Sequence, residues 1–223
     1  MIVQDEGALF ADIAMQRDVD LLKTGSEPLL RFYHWARPSI TVGILNEEGL
    51  IDEKLAKSLG IDVARRPTGG ATLIHGHDLA FSLFIPNANF LKETSYLKVN
   101  EALIQAAAQA YSLKGFSLAQ DGLRASRGGF CMADCSLYDP LLNGKKVGGA
   151  AQRRTRRGFL HQGSLFLQEP KWALFARLFD AQTLEKMQSS TTFLGVKEVE
   201  EFKEIFAQSV EESLQSSFQV EGC

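Results

Sequence analysis

Arg65-Arg66-Pro67-Thr68-Gly69-Gly70-Ala71-Thr72-Leu73-Ile74-His75 places a glycine turn between a basic pair and a run that reads as a strand. Two adjacent glycines let backbone N–H groups approach a ligand that side chains would block, and the arginines put fixed positive charge beside that opening. The guest such a loop suits is an anion or a polarised carbonyl. A bare glycine pair is an ordinary tight turn; the flanking charge and the strand that follows shift this one toward a ligand loop. Neighbouring residues of a strand point to opposite faces, so only one of Arg65 and Arg66 is expected to reach the site.

Outward along the chain, Asn143-Gly144-Lys145-Lys146-Val147-Gly148-Gly149-Ala150-Ala151-Gln152 repeats the pairing of small residues with positive charge. Asn-Gly marks a hairpin tip, and a lysine pair after such a tip is ordinarily solvated. The alternative is a lysine held against small residues, pointing into a cleft and stabilising negative charge on a reacting carbonyl oxygen. Lys146 is the better candidate, because it begins the strand proper whereas Lys145 belongs to the turn. Phe130-Cys131-Met132-Ala133-Asp134-Cys135 has a C-x-x-x-C spacing with no second ligand pair. His75, His77 and His161 are too scattered to complete a zinc site, and no metal site is expected. The two cysteines are either inert buried thiols or, beside lysine and arginine, activated ones. Arg153-Arg154-Thr155-Arg156-Arg157 is either a solvated turn or a dock for an acidic partner or a phosphate. No aromatic residues interleave it, which argues against single-stranded nucleic acid.

The 223 residues are 45% hydrophobic and carry a formal net charge of -3. That is enough apolar material for one large domain over 1–223, with no overall attraction to nucleic acid or to anionic membranes. The longest apolar runs, such as Leu79 to Pro86, are too short to span a bilayer. The start Met1-Ile2-Val3-Gln4-Asp5-Glu6 lacks the order of a secretory signal, so a cytoplasmic location is expected. Three cysteines make no disulfide framework. Apolar spacing predicts helices from Phe10 to Thr24 and from Glu198 to Leu214; Val99 to Leu113, rich in alanine and leucine, reads as another, and Asp52 to Leu59 and Lys171 to Asp180 also read as helical. Strands are predicted over Leu29 to Trp35, Ser39 to Ile44, Leu79 to Ile85, Lys146 to Gln152 and Gly163 to Leu167. The sum is an α+β fold with a mixed, largely antiparallel, hairpin-linked sheet and flanking helices.

In order and spacing, Arg65 to Gly70 with His75, then Gly144 to Gln152, then His161-Gln162-Gly163-Ser164-Leu165 resemble the lipoate-protein ligase A family. That family shares its fold with biotin ligases and protein octanoyltransferases. Trp35-x-x-Pro38-Ser39-Ile40-Thr41-Val42-Gly43 and Thr191-Thr192-Phe193-Leu194-Gly195-Val196 extend the resemblance over nearly the whole chain. The resemblance implies a class II biotin/lipoate ligase-like catalytic domain, ending without the small C-terminal accessory domain that many complete ligases carry. It implies transfer of lipoyl or octanoyl to one lysine of the lipoyl domains of 2-oxoacid dehydrogenase complexes or of glycine cleavage H-type protein.

Two routes are open. In the ligase route, placed first, ATP and Mg2+ convert lipoate to lipoyl-adenylate, with no permanently bound cofactor. In the transferase route octanoate arrives as a thioester on acyl carrier protein and passes through an enzyme nucleophile. Lys146 matches the family's essential lysine and Cys131 the nucleophile of one octanoyltransferase branch. Arg65, Arg66, Thr68, Gly69, Gly70, Ala71 and His75 match the binding loop, and Gly148, Gly149, Ala150, His161 and Gly163 complete the binding set. Ala71 departs from the pattern, since ligases commonly have a third glycine there. A different class, a non-catalytic binding module using Arg153 to Arg157, stays open; neither nucleic acid nor membrane is an expected partner.

Overall fold

The computed structural model describes residues 1–86, 95–122 and 129–219. The chain opens with β1 (Ile2–Leu9), α1 (Ala11–Thr24), β2 (Leu29–Trp35), β3 (Ser39–Gly43), α2 (Glu53–Ser58) and β4 (Asp62–Arg66). After the glycine turn come β5 (Leu73–His75), β6 (His77–Pro86), α3 (Ser95–Ala110), β7 (Phe116–Leu118), β8 (Pro140–Leu142) and β9 (Lys145–Lys146). It continues through β10 (Gly148–Arg154), β11 (Gly158–Gln168), α4 (Trp172–Phe175), α5 (Ala181–Ser190) and α6 (Glu200–Gln219).

A five-stranded sheet has the order β1-β2-β6-β11-β10, and two three-stranded sheets have the orders β4-β3-β5 and β7-β8-β9. β1 runs parallel to β2 and β3 parallel to β4, and the other described pairings are antiparallel. The alternation of Leu79, Phe81, Leu83 and Ile85 on β6 puts all four on one face of the large sheet. There they meet Leu30, Phe32, Phe159 and Leu165 and the apolar stripes of α3 (Val99, Leu103, Ala106) and α6 (Phe202, Phe206, Val210). Phe81 meets Phe206 edge-on at 4.9 Å between ring centres.

The opposite face of the large sheet is half covered by Ala11, Ala14 and Met15 of α1, packed on Tyr33, Trp35 and Ala80. Ile40, Val42, Leu73 and Ile74 of the small sheet form a second core with Phe166, Phe175 and Met187. Both faces of β6 are therefore buried, which is why its sequence is apolar almost throughout. Inside this second layer Arg31 forms ion pairs with Glu6 and Asp18. Burial raises the Asp18 carboxyl above its ordinary pKa, against the pull of Arg31 and of hydrogen bonds from Ser82 and Gln162.

Several elements differ from the sequence expectation. β1 has no apolar alternation because it is an edge strand whose first residues are exposed. The strand expected over Lys146 to Gln152 is broken at Val147, so that β9 and β10 lie in different sheets. Lys145 is the first residue of β9 rather than part of the turn, which is confined to Asn143 and Gly144, both at positive φ. The helix expected from Lys171 to Asp180 is four residues long. Asp180 starts the next helix instead of ending that one, its side chain accepting from the Thr183 N–H at 2.9 Å.

Candidate active site

The open side of the large sheet, the small sheet and the Phe130 to Asp139 segment enclose a cleft of about 630 Å³, counted to its open mouth. Lys146, Cys131, Arg66, Gly70, Ala71, His75, Gly149, Ala150 and Gly163 of the expected set all line it.

Lys146 is placed by the β8–β9 hairpin and by Thr192, whose N–H donates to the Lys146 carbonyl at 2.8 Å. Its ammonium is buried and donates to Asp139 Oδ2 at 2.6 Å, to the carbonyls of Cys131 and Asp134 at 2.7 and 3.1 Å, and to Cys131 Sγ at 3.2 Å. Burial pulls its pKa down, but the Cys131 sulfur and the Asp139 carboxylate outweigh that, so the net shift is upward and Lys146 stays charged. Such a buried ammonium needs a partner charge, and Asp139, itself 1% exposed, supplies it.

Cys131 sits on a tight turn in which the N–H groups of Ala133 and Asp134 both reach the Phe130 carbonyl. Two backbone hydrogen bonds stitch this turn to the glycine loop, from Cys131 N–H to the Thr72 carbonyl at 2.7 Å and from Thr72 N–H to the Gly129 carbonyl at 2.9 Å. Cys131 is half-buried. Gly149 leaves the space it occupies: a Cβ there would come within 3.0 Å of Cys131 Sγ and 3.4 Å of Lys146 Cε. An ammonium at 3.2 Å stabilises negative charge on the sulfur and on a carbonyl oxygen brought beside it.

The arginine pair divides as expected. Arg65 is exposed and donates to the carbonyls of Gly43 and Asn46. Arg66 is buried, donating to Thr41 O and Oγ1, to Gly69 O and to Ala71 O at 2.6–3.1 Å. Its acceptors among the described residues are all neutral, which leaves a positive charge at the cleft wall. Burial lowers its pKa, opposed by Cys131 and Tyr33. Gly70 holds φ at +85°, a backbone region in which glycine is unstrained.

Asp78, which carries no signal of its own in the sequence, organises the far wall. Its Oδ2 meets His75 Nδ1 at 2.7 Å, accepts from Trp35 Nε1 at 3.1 Å and also accepts from Ser164 Oγ. Burial pushes its pKa up, but the charge and hydrogen bond of His75 win and hold the carboxyl below its ordinary value. His75 Nε2 meets Thr41 Oγ1 at 2.8 Å, so Asp78, His75, Thr41 and Arg66 form one connected chain. Asp139, which lines the cleft and pairs with Lys146, is a second residue that sequence reasoning missed. Neither aspartate belongs to a local chemical pattern; the spacing His75-x-x-Asp78 was the one signal that could have found Asp78.

Other expected residues lie elsewhere. His161 is on the opposite face of the large sheet, stacked on Phe81 and near Tyr96 and Phe159. Alternation along β11 sends odd-numbered side chains into the helix-covered core, so His161 does not reach the cleft. Burial alone drives its pKa down to about 3, and it is a neutral core residue at ordinary pH. Gly163 borders the cleft through its backbone, but its missing side chain makes room for Phe81, whose ring a Cβ would meet at 2.2 Å. Thr68 is buried and donates to Gln162 Oε1 at 2.6 Å, while Gln162 Nε2 donates to Asp18 at 2.6 Å. Thr68 thus anchors the glycine loop to α1. Gly69 contributes its carbonyl to Arg66, and Gly148 packs against the Ser164 carbonyl. Arg153 to Arg157 form the β10–β11 hairpin tip, with Arg153 donating to the Pro67 carbonyl at 2.9 Å.

Among the described residues, no group of three or more His, Cys, Asp or Glu side chains is arranged to hold a metal ion, and no helix is long and apolar enough to cross a membrane. The sequence-family model described as the lipoyl protein ligase A/B catalytic domain matches residues 11–219. A curated relative from Exiguobacterium sp., named octanoyltransferase LipM, is 29% identical over 177 residues, covering 75% of this chain and 64% of the relative. The chain therefore spans less than two-thirds of that relative's length. A lipoate-protein ligase A crystal structure bound with ATP superposes with a TM-score of 0.74 at 21% identity, covering 96% of this chain and 86% of the other. Biotin protein ligase from Aquifex aeolicus, in complex with biotin and ATP, superposes with a TM-score of 0.55 at 12% identity, covering 96% and 71%. These likenesses show the class II lipoate and biotin ligase fold.

Proposed function

The chain belongs to the lipoyl protein ligase A/B catalytic-domain family, and from that premise we propose that it is a protein octanoyltransferase working through a thioester on Cys131. The observation that carries this reading is the Cys131 sulfur in the cleft, 3.2 Å from the Lys146 ammonium. The name of the Exiguobacterium relative supports it. The order of the two routes set out from the sequence is thereby reversed, with the ATP-dependent ligase second.

In this reading an octanoyl thioester on acyl carrier protein enters the cleft. The Cys131 thiolate attacks its carbonyl carbon, the new C–S bond forms, and the carrier thiolate departs. Lys146 donates to the oxyanion of the tetrahedral intermediate, and Arg66 faces it as a second fixed charge. The neutral ε-amine of a lipoyl-domain lysine then attacks the acyl-enzyme. The C–S bond to Cys131 breaks, the amide forms, and the proton lost by the amine balances the one taken up by the carrier thiol. The cationic Lys146 also favours the uncharged form of the incoming amine.

The test combines purified protein, a lipoyl domain and either octanoyl-carrier protein or lipoate with ATP, read by intact mass. An octanoyl adduct mapping to Cys131, absent in Cys131→Ser, is the expected result. Normal ATP-dependent lipoylation by Cys131→Ala would overturn it in favour of the ligase. Undiminished transfer by Lys146→Ala would refute the role of that lysine. Retained lipoyl-domain affinity without turnover from either donor would leave a binding module.

A further inference from the structure

Each backbone carbonyl from Pro67 to Ala71 is held by a donor. Pro67 O accepts from Arg153, Thr68 O from the Ile44 N–H, Gly70 O from Asn46 Nδ2, and Gly69 O and Ala71 O from Arg66. The N–H groups of Gly69, Gly70 and Ala71 have no acceptor among the described residues. The glycine loop is thus pinned in a shape that ties its carbonyls back and leaves its N–H groups free.

One side chain of this loop anchors it, and the anchor leads away from the cleft. Thr68 on the loop donates its hydroxyl to Gln162 Oε1 on β11 at 2.6 Å, and Gln162 Nε2 donates to Asp18 Oδ2 on α1 at 2.6 Å. All three residues are buried, and Asp18 lines no part of the cleft. The other carboxylate oxygen, Oδ1, accepts from Arg31 and from Ser82. A carboxylate only accepts, so Asp18 turns the nitrogen of the Gln162 amide toward itself and the oxygen toward Thr68. The direction of every hydrogen bond in this run is therefore set at Asp18, two side chains away from the loop.

We propose that Asp18 is a positioning residue for the reaction. Through Gln162 and Thr68 it holds the glycine loop, and with the loop the Arg66 guanidinium bound to Gly69 O and Ala71 O, where the thioester carbonyl is polarised. Its effect on rate rests on the acyl-transfer reading; its effect on the loop does not. Asp18→Asn keeps the shape of the side chain and reverses its chemistry. Arg31 and Ser82 claim Oδ1, so the new amide nitrogen lies toward Gln162 Nε2. Gln162 then either faces it donor to donor or flips and offers its nitrogen to Thr68, whose hydroxyl loses its acceptor. Adding Gln162→Glu exchanges the carboxylate and the amide. Asn at 18 donates to Glu at 162, which again accepts from Thr68, and the net charge is that of wild type.

Three readouts test this: amide exchange at Gly69 and Gly70, single-turnover acylation of Cys131 by octanoyl-carrier protein, and alkylation of Cys131 by iodoacetamide. Asp18→Asn should speed exchange about tenfold and slow acylation at saturating donor about tenfold, with the half-saturating donor concentration within about twofold. Alkylation should be unchanged, because Cys131 and Lys146 stand outside the run. The double variant should bring exchange and acylation back to within about threefold of wild type. Unchanged exchange in Asp18→Asn, or a double variant no better than the single one, would overturn the proposal. So would slower acylation that merely follows the folded fraction, which is what a purely structural role predicts. Absence of any adduct on wild-type Cys131 would instead refute the transfer reading, and the exchange rates would still decide the hold on the loop. Should Asp18→Asn not fold, Thr68→Val cuts the same run at its other end and should speed exchange at Gly69 and Gly70; unchanged exchange there overturns the proposal.

Discussion

Replacing Lys146 with methionine separates what this residue does for stability from what it does for chemistry. The side chain is buried and its ammonium pairs with the equally buried Asp139 carboxylate at 2.6 Å. Lys146→Met keeps most of the volume and leaves the Asp139 carboxylate buried with no cation, which costs about 3–5 kcal/mol. For a chain of this size each kcal/mol moves Tm by about 2–4 °C, so the expected fall is roughly 6–20 °C. Adding Asp139→Asn removes the orphaned charge, and most of the lost Tm should return. Acyl transfer should not return, because the oxyanion donor is gone in both variants; loss of one such donor lowers turnover by about 10²–10³-fold. Differential scanning fluorimetry and single-turnover acylation read the two effects. A Tm for Lys146→Met within a degree or two of wild type would refute the buried-pair argument. Transfer by the double variant at the wild-type rate would refute the catalytic one.

Three further outcomes are expected. His161 has a folded pKa depressed to about 3 from an ordinary 6.5, so its contribution is full above pH 6.5 and is lost as pH falls toward 3. Stability from urea melts should therefore drop by about 1.4 kcal/mol per pH unit across that window, a slope that His161→Phe should remove while transfer persists. Gly149→Ala places a methyl 3.0 Å from Cys131 Sγ and 3.4 Å from Lys146 Cε, and should slow alkylation of Cys131 by iodoacetamide more than it lowers Tm; equal labelling rates would contradict so close an approach of residue 149 to the sulfur. Thr68→Val takes the donor from Gln162 Oε1, a loss of about 1–3 kcal/mol, and should loosen the glycine loop as read by faster amide exchange at Gly69 and Gly70.

The large elements were legible because their signals are local. The apolar run of β6 and the three- and four-residue spacing on α3 and α6 mark segments that bury large side chains, and burial there demands apolar residues. β1 was illegible for the converse reason: an edge strand has little to bury. The split of β9 from β10 at Val147 leaves no mark in composition, since both halves remain extended. At the site, Lys146, Cys131, Arg66 and the glycine turn stood out by residue type and by neighbours in sequence.

Sequence alone thus determined the chemical groups and the presence of most large strands and helices, because charge, thiol and apolar periodicity are properties of short segments. Tertiary structure decided which groups meet. His161 went to the core and Asp78 and Asp139 came to the cleft, since strand register chooses a face residue by residue. It also brought Cys131 against Lys146 and joined Asp18, Gln162 and Thr68 in one run of hydrogen bonds. Contacts of that kind join residues far apart in the chain, and they are set by pairing and packing that exist only once the sheets have formed.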